Sequence, residues 1–301
     1  MLQNSALQHL ISCKRAHLTG DSGIKIDLIA ARQRCLSVSL IRALSAVLGK
    51  VLLLGIPAHF AVAQQADIEQ ALSIGGYFAQ GDYGEAVDTE IIYVPVTYEW
   101  NAGEWGLQLT APYLQVTGLG NVLVNVGGVT QAVAGAEVTT SSGPGDVIAS
   151  LVYRVPPWAE RVPFVDLRLD VKLPTADETK GMGTGEVDAS VQVDLSQDFS
   201  GIVGFATLGY TWRGETTLFP GLSDAAFAQI GLAVPLNDRV NIGAYYDYRE
   251  AASKFSAESH ELLPYVNWQL SDHWSVTGLI STGFTEASAD LGVLAQLRYS
   301  W

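Results

Sequence analysis

The most constraining feature of this sequence is a strict alternation of apolar and polar residues along many segments. A helix with 3.6 residues per turn would mix the two sets on one surface, whereas a β-strand keeps them on opposite faces. In one such segment the apolar set is Val165, Leu167, Leu169, Val171 and Leu173, and the charged set is Asp166, Arg168, Asp170 and Lys172. The pattern predicts an all-β protein whose strands have one apolar and one polar face.

The end of the chain shows the same alternation and finishes on an aromatic residue. Its apolar face carries Leu291, Val293, Ala295, Leu297 and Tyr299, just before the terminal Trp301. This is typical of the last strand of a bacterial outer-membrane β-barrel, and it also fits the edge strand of a soluble sheet. In the barrel interpretation, Leu297, Tyr299 and Trp301 form the assembly signal that the barrel-assembly machinery recognises.

The N-terminal region has the features of an export leader. Basic residues precede a short apolar run at 51–56, and Ala61, Val62 and Ala63 form a small-residue cleavage pattern. We expect cleavage between Ala63 and Gln64, which divides the chain into a leader, residues 1–63, and a mature barrel, residues 64–301. Residues 1–30 have no assigned role, and translation could begin downstream of Met1.

Removing the leader changes the composition in an informative way. Both cysteines, Cys13 and Cys35, lie in the leader, as do seven of the 17 Lys and Arg residues and two of the 31 Asp and Glu residues. The mature part therefore keeps ten basic and 29 acidic residues, a formal net charge of −19. Such an acidic chain is not expected to bind nucleic acid. It has no apolar run of the length that a transmembrane helix needs, so a membrane-spanning form must be a closed barrel.

Twelve antiparallel strands are predicted for the mature chain. Their ranges are 70–81, 87–100, 104–116, 145–156, 161–174, 185–197, 200–213, 222–235, 239–250, 257–270, 273–284 and 288–301. Tight turns near residues 101–103, 157–160, 198–199, 237–238 and 271–272 alternate with longer links at 117–144, 175–184, 214–221 and 251–256. This asymmetry is typical of outer-membrane barrels in Gram-negative bacteria, with short turns on the periplasmic side.

Tryptophan positions fit the same orientation. An even number of strands brings both termini to the short-turn side. The residues predicted to form an aromatic girdle at that interface are Trp100, Trp105, Trp158, Trp268, Trp274 and Trp301.

The charged residues of the polar faces are expected to point into the barrel lumen. These lumen candidates are Arg154, Asp166, Arg168, Asp170, Lys172, Glu186, Asp188, Asp194, Asp247, Arg249 and Arg298. Two interpretations remain open: a network of structural ion pairs, or a constriction that selects permeants by charge and size.

The predicted loop 117–144 is unusually apolar, since Glu137 is its single charged residue. One hypothesis is that it folds against or into the barrel mouth and forms an apolar patch where a permeant arrives. The residues of that patch would be Leu119, Val122, Leu123, Val124, Val126 and Val129. The alternative is a β-hairpin that extends the barrel above the membrane.

Four short motifs combine proline or glycine with strand ends. They are Ala111-Pro112-Tyr113, Gly143-Pro144-Gly145-Asp146, Leu173-Pro174-Thr175 and Gly181-Met182-Gly183-Thr184-Gly185. Together they resemble the family described as "putative MetA-pathway of phenol degradation" over most of residues 70–301. Ala176 departs from the glycine expected after Pro174 and Thr175. The resemblance implies an outer-membrane barrel of transporter type with a link to the degradation of aromatic compounds.

The mature sequence gives little support for catalysis. His260 and His273 are its two histidines, and one predicted strand separates them by about 40 Å. The sequence has no nucleophile motif and no histidine pair or cysteine at metal-ligand spacing. We therefore expect no enzyme activity, metal or cofactor.

The function predicted from these features is that of an outer-membrane channel or transporter. It would pass small hydrophobic or aromatic molecules through the lumen, with outer-membrane lipids around the barrel. The alternative is a structural or surface-interaction barrel without transport activity.

Overall fold

The structure is a computed structural model, and it describes residues 68–119, 123–126, 129–132, 138–159, 161–216, 221–253 and 256–301. The predicted leader, residues 1–63, lies outside the described residues. The strands are β1 Ile68–Gly81, β2 Thr89–Ala102, β3 Trp105–Gly118, β4 Leu123–Val126, β5 Val129–Ala132, β6 Thr139–Pro144, β7 Val147–Val155, β8 Phe164–Leu173, β9 Asp188–Asp198, β10 Val203–Trp212, β11 Ala225–Pro235, β12 Val240–Arg249, β13 Ser259–Gln269, β14 Trp274–Gly283 and β15 Leu291–Ser300.

These strands form a closed antiparallel barrel of twelve staves, where a stave is one strand, or two strands in line, that runs the height of the barrel. Consecutive strands pair around the ring except in the region from β3 to β7, and β1 closes the ring by pairing with β15, from Ala71 opposite Ser300 to Gln80 opposite Leu291. The strands β6 and β7 share one stave, because β6 pairs with the upper half of β3 and β7 pairs with its lower half. The prediction of twelve strands is confirmed. Closure satisfies the backbone hydrogen bonds of every stave, as a lipid environment requires.

The two faces of the barrel follow the predicted alternation. Outward side chains such as Leu208, Ile230 and Leu232 are 63%, 66% and 56% exposed, whereas their inward neighbours Thr207 and Gly231 are buried. A soluble protein would bury such large side chains, and an outer-membrane barrel presents them to lipid. The outer wall therefore forms a continuous apolar band.

The short turns all lie at one end of the barrel, together with the terminal Trp301. Aromatic rings cluster there: Trp105 lies 4.8 Å from Tyr153, and Trp274 lies 4.8 Å from Tyr299 between ring centroids. The Tyr299 ring also stacks on Trp301 at 5.6 Å. This arrangement matches the aromatic girdle of an outer-membrane barrel at its periplasmic interface.

Two segments at the opposite end differ from the predicted strands. Between β3 and β6, β4 and β5 pair as a separate two-stranded hairpin. The strand predicted at 185–197 begins only at Asp188, so Glu186 lies in the loop before it. Among the described residues, no helix is long and apolar enough to cross a membrane.

Candidate functional site in the barrel lumen

Most charged candidates lie on one side of the lumen, on the inner faces of β7, β8 and β9. On these strands even-numbered residues face inward, since odd-numbered apolar residues form the outer wall. This inner face carries Arg154, Asp166, Arg168, Asp170, Lys172, Asp188 and Asp194. From other staves, Asp247 and Arg249 of β12 and Arg298 of β15 face the same lumen.

Arg168 forms the centre of a polar cluster that joins three staves. Its Nε donates to Asp170 Oδ1 at 2.7 Å, and its Nη2 donates to Gln108 Oε1 and Ser150 Oγ, both at 2.7 Å. A buried guanidinium stays charged, and these partners offset its desolvation. The planar Arg168 guanidinium therefore links the inner faces of β3, β7 and β8 and fixes their relative position.

Lys172 anchors the loop that runs from residue 174 to residue 187. Its Nζ lies 2.9 Å from Asp188 Oδ2 and 3.4 Å from Asp146 Oδ2, and it donates to Thr184 Oγ1 at 2.8 Å. The side chains of Lys172 and Asp146 are 4% and 1% exposed. Because burial removes the competing water, such a pair fixes geometry more firmly than a surface ion pair does.

Asp146 holds the beginning of the same loop. Its Oδ1 accepts the backbone N–H groups of Thr175 and Ala176, each at 3.0 Å. Asp146 lies between β6 and β7, where the N–H of Gly145 donates to the carbonyl of Pro112. The start of the loop and, through Thr184, its end are thus tied to the inner wall within one buried cluster.

Two further ion pairs lie on other strands, one within β12 and one between β15 and β2. Arg249 Nε lies 2.9 Å from Asp247 Oδ2, and Gln229 Nε2 donates to Asp247 Oδ1 at 2.5 Å. Nearer the periplasmic end, Arg298 Nη2 lies 2.9 Å from Glu99 Oε2 and so links β15 to β2 across β1. Charged contacts therefore also lie on the inner wall outside β7, β8 and β9.

Carboxylates outnumber cations on the described inner wall. The acidic set is Glu99, Asp146, Asp166, Asp170, Asp188, Asp194, Asp247 and Glu261, and the basic set is Arg154, Arg168, Lys172, Arg249 and Arg298. This imbalance gives the lumen a negative potential that favours cations over anions.

The other side of the lumen is lined by aromatic and aliphatic side chains, here called the aromatic belt. Neighbouring members of the belt oppose one another in strand register: Tyr93 faces Leu114, Tyr77 faces Tyr93 and Leu294, and Tyr265 faces Leu279. Its members are Tyr77, Tyr93, Leu114, Phe205, Tyr245, Leu263, Tyr265, Leu279 and Leu294, all buried in one apolar cluster. The lumen is thus amphipathic, with a charged wall and an apolar wall.

Glycines on the inner wall make room for the rings of the aromatic belt. A Cβ atom on Gly243 would lie 2.5 Å from the Tyr265 ring, and one on Gly231 would lie 2.5 Å from both Phe205 Cζ and Tyr245 Cβ. These rings therefore lie against the wall and cover the glycines, an arrangement that also supports strand register.

Sequence reasoning missed the aromatic belt and several inner carboxylates. The tyrosines fall at inward positions of the alternation, whereas the prediction of lumen residues used charged residues alone. Asp146 stands in a motif singled out for its glycines, and Glu99 lies between two aromatic residues. The parity of each strand would have assigned all of them to the lumen.

Glu186 and the predicted apolar patch are not part of the charged inner wall described above. Glu186 lies half-buried in the loop before β9, where its Cβ packs beside Gly214, and not on a strand of the inner wall. Leu119 follows β3, and Val122 lies outside the described residues. For Leu123, Val124, Val126 and Val129 the structure gives the backbone of the β4–β5 hairpin.

Outside the membrane-spanning strands, the loop 174–187 carries a perturbed carboxyl group. The hydroxyl and backbone N–H of Thr179 donate to Asp177 Oδ1 at 2.6 and 3.1 Å. These bonds, together with nearby Lys180, lower the pKa of Asp177 below its usual 3.8. At the end of β10, burial lowers the pKa of Arg213, and nearby Asp188 opposes that shift.

Within the part of the chain that the structure describes, no group of three or more His, Cys, Asp or Glu side chains has the geometry of a metal site. The polar atoms of the lumen are organised as ion pairs and hydrogen bonds.

The closed barrel, its apolar outer band and its periplasmic aromatic girdle define a protein of the bacterial outer membrane. Residues 73–301 match the family described as "Putative MetA-pathway of phenol degradation". The chain belongs to this family. Comparison with curated proteins finds no match.

Solved structures with the same fold are also outer-membrane barrels. The outer membrane channel COG4313 from Pseudomonas putida F1 superposes with a TM-score of 0.58 and 10% identity, over 82% of this chain and 100% of that chain. The NanC porin superposes with a TM-score of 0.50 and 8% identity, over 76% of this chain and 98% of that chain. At these identities the likeness establishes the fold alone.

Proposed function

We propose that the protein is an outer-membrane channel that passes small hydrophobic or aromatic molecules through its lumen. The observation that carries the proposal is the aromatic belt, which follows the inner wall from β3 through β1 and β15 to β10. Apolar rings inside a barrel offer a planar solute dispersion contacts and edge-to-face contacts that water does not. A lumen built only for ions or sugars would not need such a wall.

The charged wall has a complementary role in this proposal. Its ion pairs are compensated within the wall, so an uncharged solute does not have to displace them. The excess of carboxylates disfavours anions. Small neutral aromatic molecules therefore match both sides of the lumen.

Two names among the similar proteins support this assignment. The family description refers to phenol degradation, and the structure from Pseudomonas putida F1 is described as an outer membrane channel. A channel for aromatic compounds would supply the substrate of such degradation.

Uptake into vesicles tests the proposal. The purified protein is reconstituted into vesicles whose outer leaflet contains lipopolysaccharide, which slows the passive entry of hydrophobic solutes. We expect faster uptake of toluene and phenol than into protein-free vesicles, and no acceleration for benzenesulfonate. Equal rates with and without protein would contradict transport and favour the alternative, a structural or surface-interaction barrel.

The apolar patch predicted for the 117–144 region is tested in the same assay. The deletion should leave β3 and β6 intact, so we choose residues 120–138. If Val122, Leu123 and their neighbours form the place where a permeant arrives, the deletion slows toluene uptake. Unchanged uptake would assign the hairpin a purely structural role.

We also infer that export removes the leader between Ala63 and Gln64. The intact mass of the protein isolated from outer membranes gives the mature N-terminus directly. A mass that includes residues 1–63 would contradict this cleavage.

A further inference from the structure

We propose that Met182 is the residue that sets the size limit of the channel. This inference rests on the proposed function and extends it, because it names the side chain that decides which aromatic molecules pass. Met182 belongs to the loop 174–187, outside the strands, yet it is 1% exposed and packs in the same apolar cluster as the aromatic belt.

The loop is folded inward and fixed close to Met182 on both sides. Asp146 accepts the N–H groups of Thr175 and Ala176 at 3.0 Å, and Lys172 Nζ donates to Thr184 Oγ1 at 2.8 Å. Both anchors are buried side chains of the inner wall. Since the anchors hold the backbone on both sides of Met182, any adjustment to a passing solute falls to the Met182 side chain.

The two glycines beside Met182 allow the loop to approach the wall this closely. Gly181 has a φ of 70°, a conformation that suits glycine. A Cβ atom on Gly183 would lie 2.7 Å from Asp146 Oδ2 and 3.0 Å from Ala176 Cβ. Any larger residue at position 183 would push the loop away from the wall and displace Met182 from the belt.

Methionine has the properties that a size-selecting element for flat apolar solutes requires. Its unbranched side chain has three rotatable bonds, and its sulfur makes favourable contacts with aromatic rings. It can therefore move aside for one ring and regain its contacts afterwards. We therefore expect Met182 to hold back a solute with two fused rings more than a solute with one.

The test compares uptake of naphthalene with uptake of toluene into the same lipopolysaccharide-containing vesicles. We expect Met182→Ala to raise the naphthalene-to-toluene rate ratio about tenfold, which corresponds to a barrier change of about 1.4 kcal/mol. Met182→Leu, which keeps the volume, should retain the wild-type ratio. Val187→Ala is the matched control, because Val187 lies in the same loop but is 50% exposed.

A second readout measures contact with the solute directly. The chain contains two methionines, Met1 and Met182, so methyl-labelled methionine gives an NMR signal that the Met182→Leu variant assigns. Toluene should shift the Met182 methyl signal in the intact barrel.

The outcomes separate this inference from the proposed function. In one outcome the wild type takes up aromatic solutes, Met182→Ala and Val187→Ala have the same naphthalene-to-toluene rate ratio, and the methyl signal does not shift. That outcome would overturn the role of Met182 and leave the channel assignment intact. No wild-type uptake of any aromatic solute would overturn the channel assignment itself, and this inference with it.

Discussion

Gly243 on β12 and Tyr265 on β13 are cross-strand neighbours, and the tyrosine ring occupies the space that a side chain at position 243 would need. A Cβ atom there would lie 2.5 Å from Tyr265 Cζ and Oη. The ring can lie flat against the barrel wall only because position 243 is glycine. The width of the lumen at this level therefore depends on a residue that has no side chain.

Replacing Gly243 with alanine should destabilise the barrel. The Cβ would clash with the backbone carbonyl oxygen of Leu232 on β11 and with the Tyr265 ring, and overpacking of this kind costs about 1–3 kcal/mol. The change is measured as a lower urea midpoint of tryptophan fluorescence in reconstituted protein. Gly76→Ala is the control, since a Cβ at position 76 meets nothing within 4 Å. Equal midpoints for the two variants would contradict this role of Gly243.

Replacing Lys172 with methionine should destabilise the barrel strongly. It removes the charge that compensates Asp146 and Asp188, and breaking a buried ion pair costs about 3–5 kcal/mol. Lys180→Met is the control, because the Lys180–Asp177 pair at 3.5 Å is exposed to solvent and contributes little to stability. Urea unfolding of both variants makes the comparison. A Lys172→Met midpoint close to that of Lys180→Met would show that the buried cluster does not stabilise the loop.

The carboxylates of the charged wall should make the ion current through the channel cation-selective. Asp166 and Asp194 oppose each other in register between β8 and β9. A unit charge about 10 Å from an ion in water changes its energy by about 0.4 kcal/mol, or about a factor of two in local concentration. Asp166→Asn and Asp194→Asn should therefore each lower the cation-to-anion permeability ratio about twofold.

The ratio follows from the reversal potential in a KCl gradient across a planar bilayer. Glu85→Gln serves as the control, because Glu85 lies exposed in the loop between β1 and β2. Anion selectivity of the wild type would contradict the charge argument.

The pKa of Asp177 should rise when its hydrogen-bond donor is removed. The Thr179 hydroxyl makes the largest contribution to its lowering, so Thr179→Val should move the pKa of Asp177 back toward 3.8. A carboxyl pKa that is lowered in the folded state adds stability above the ordinary value, and this stability is lost as pH falls through the folded pKa. The contribution of Asp177 to the loop should therefore be lost only in acid, below pH 3.8. Carboxyl NMR, with Asp177→Asn for assignment, measures the titration, and an unchanged pKa in Thr179→Val would contradict the stated cause.

The terminal residue should be needed for efficient assembly. Trp301 exchanges backbone hydrogen bonds with Gln70 at 3.0 and 3.1 Å, and its ring stacks on Tyr299 at the closing seam between β1 and β15. We propose that the barrel-assembly machinery binds Leu297, Tyr299 and Trp301 before the seam closes. Removing Trp301 should lower the amount of folded barrel in outer membranes, measured by its heat-dependent mobility on gels. Trp158→Ala, a change of a turn residue that is 66% exposed, should assemble normally.

Local patterning along the chain was enough to predict the strands and their two faces. The period of two is local information: alternate residues of a strand point to opposite sides whatever the neighbouring strands are. For this reason the twelve strands, the short-turn end and the lipid-facing residues such as Leu167 and Leu169 followed from the sequence alone. The inward parity of Arg168 and Lys172 followed in the same way.

The contacts of these inward residues, in contrast, depend on the closed barrel. The pairing of Arg298 with Glu99 depends on closure of β1 against β15, and the fit of Tyr265 over Gly243 depends on strand register. The inward fold of the loop that carries Met182 depends on a carboxylate, Asp146, far away in sequence. Such contacts join segments whose relative position is fixed only when the sheet closes, because ring closure sets the register of every stave at once.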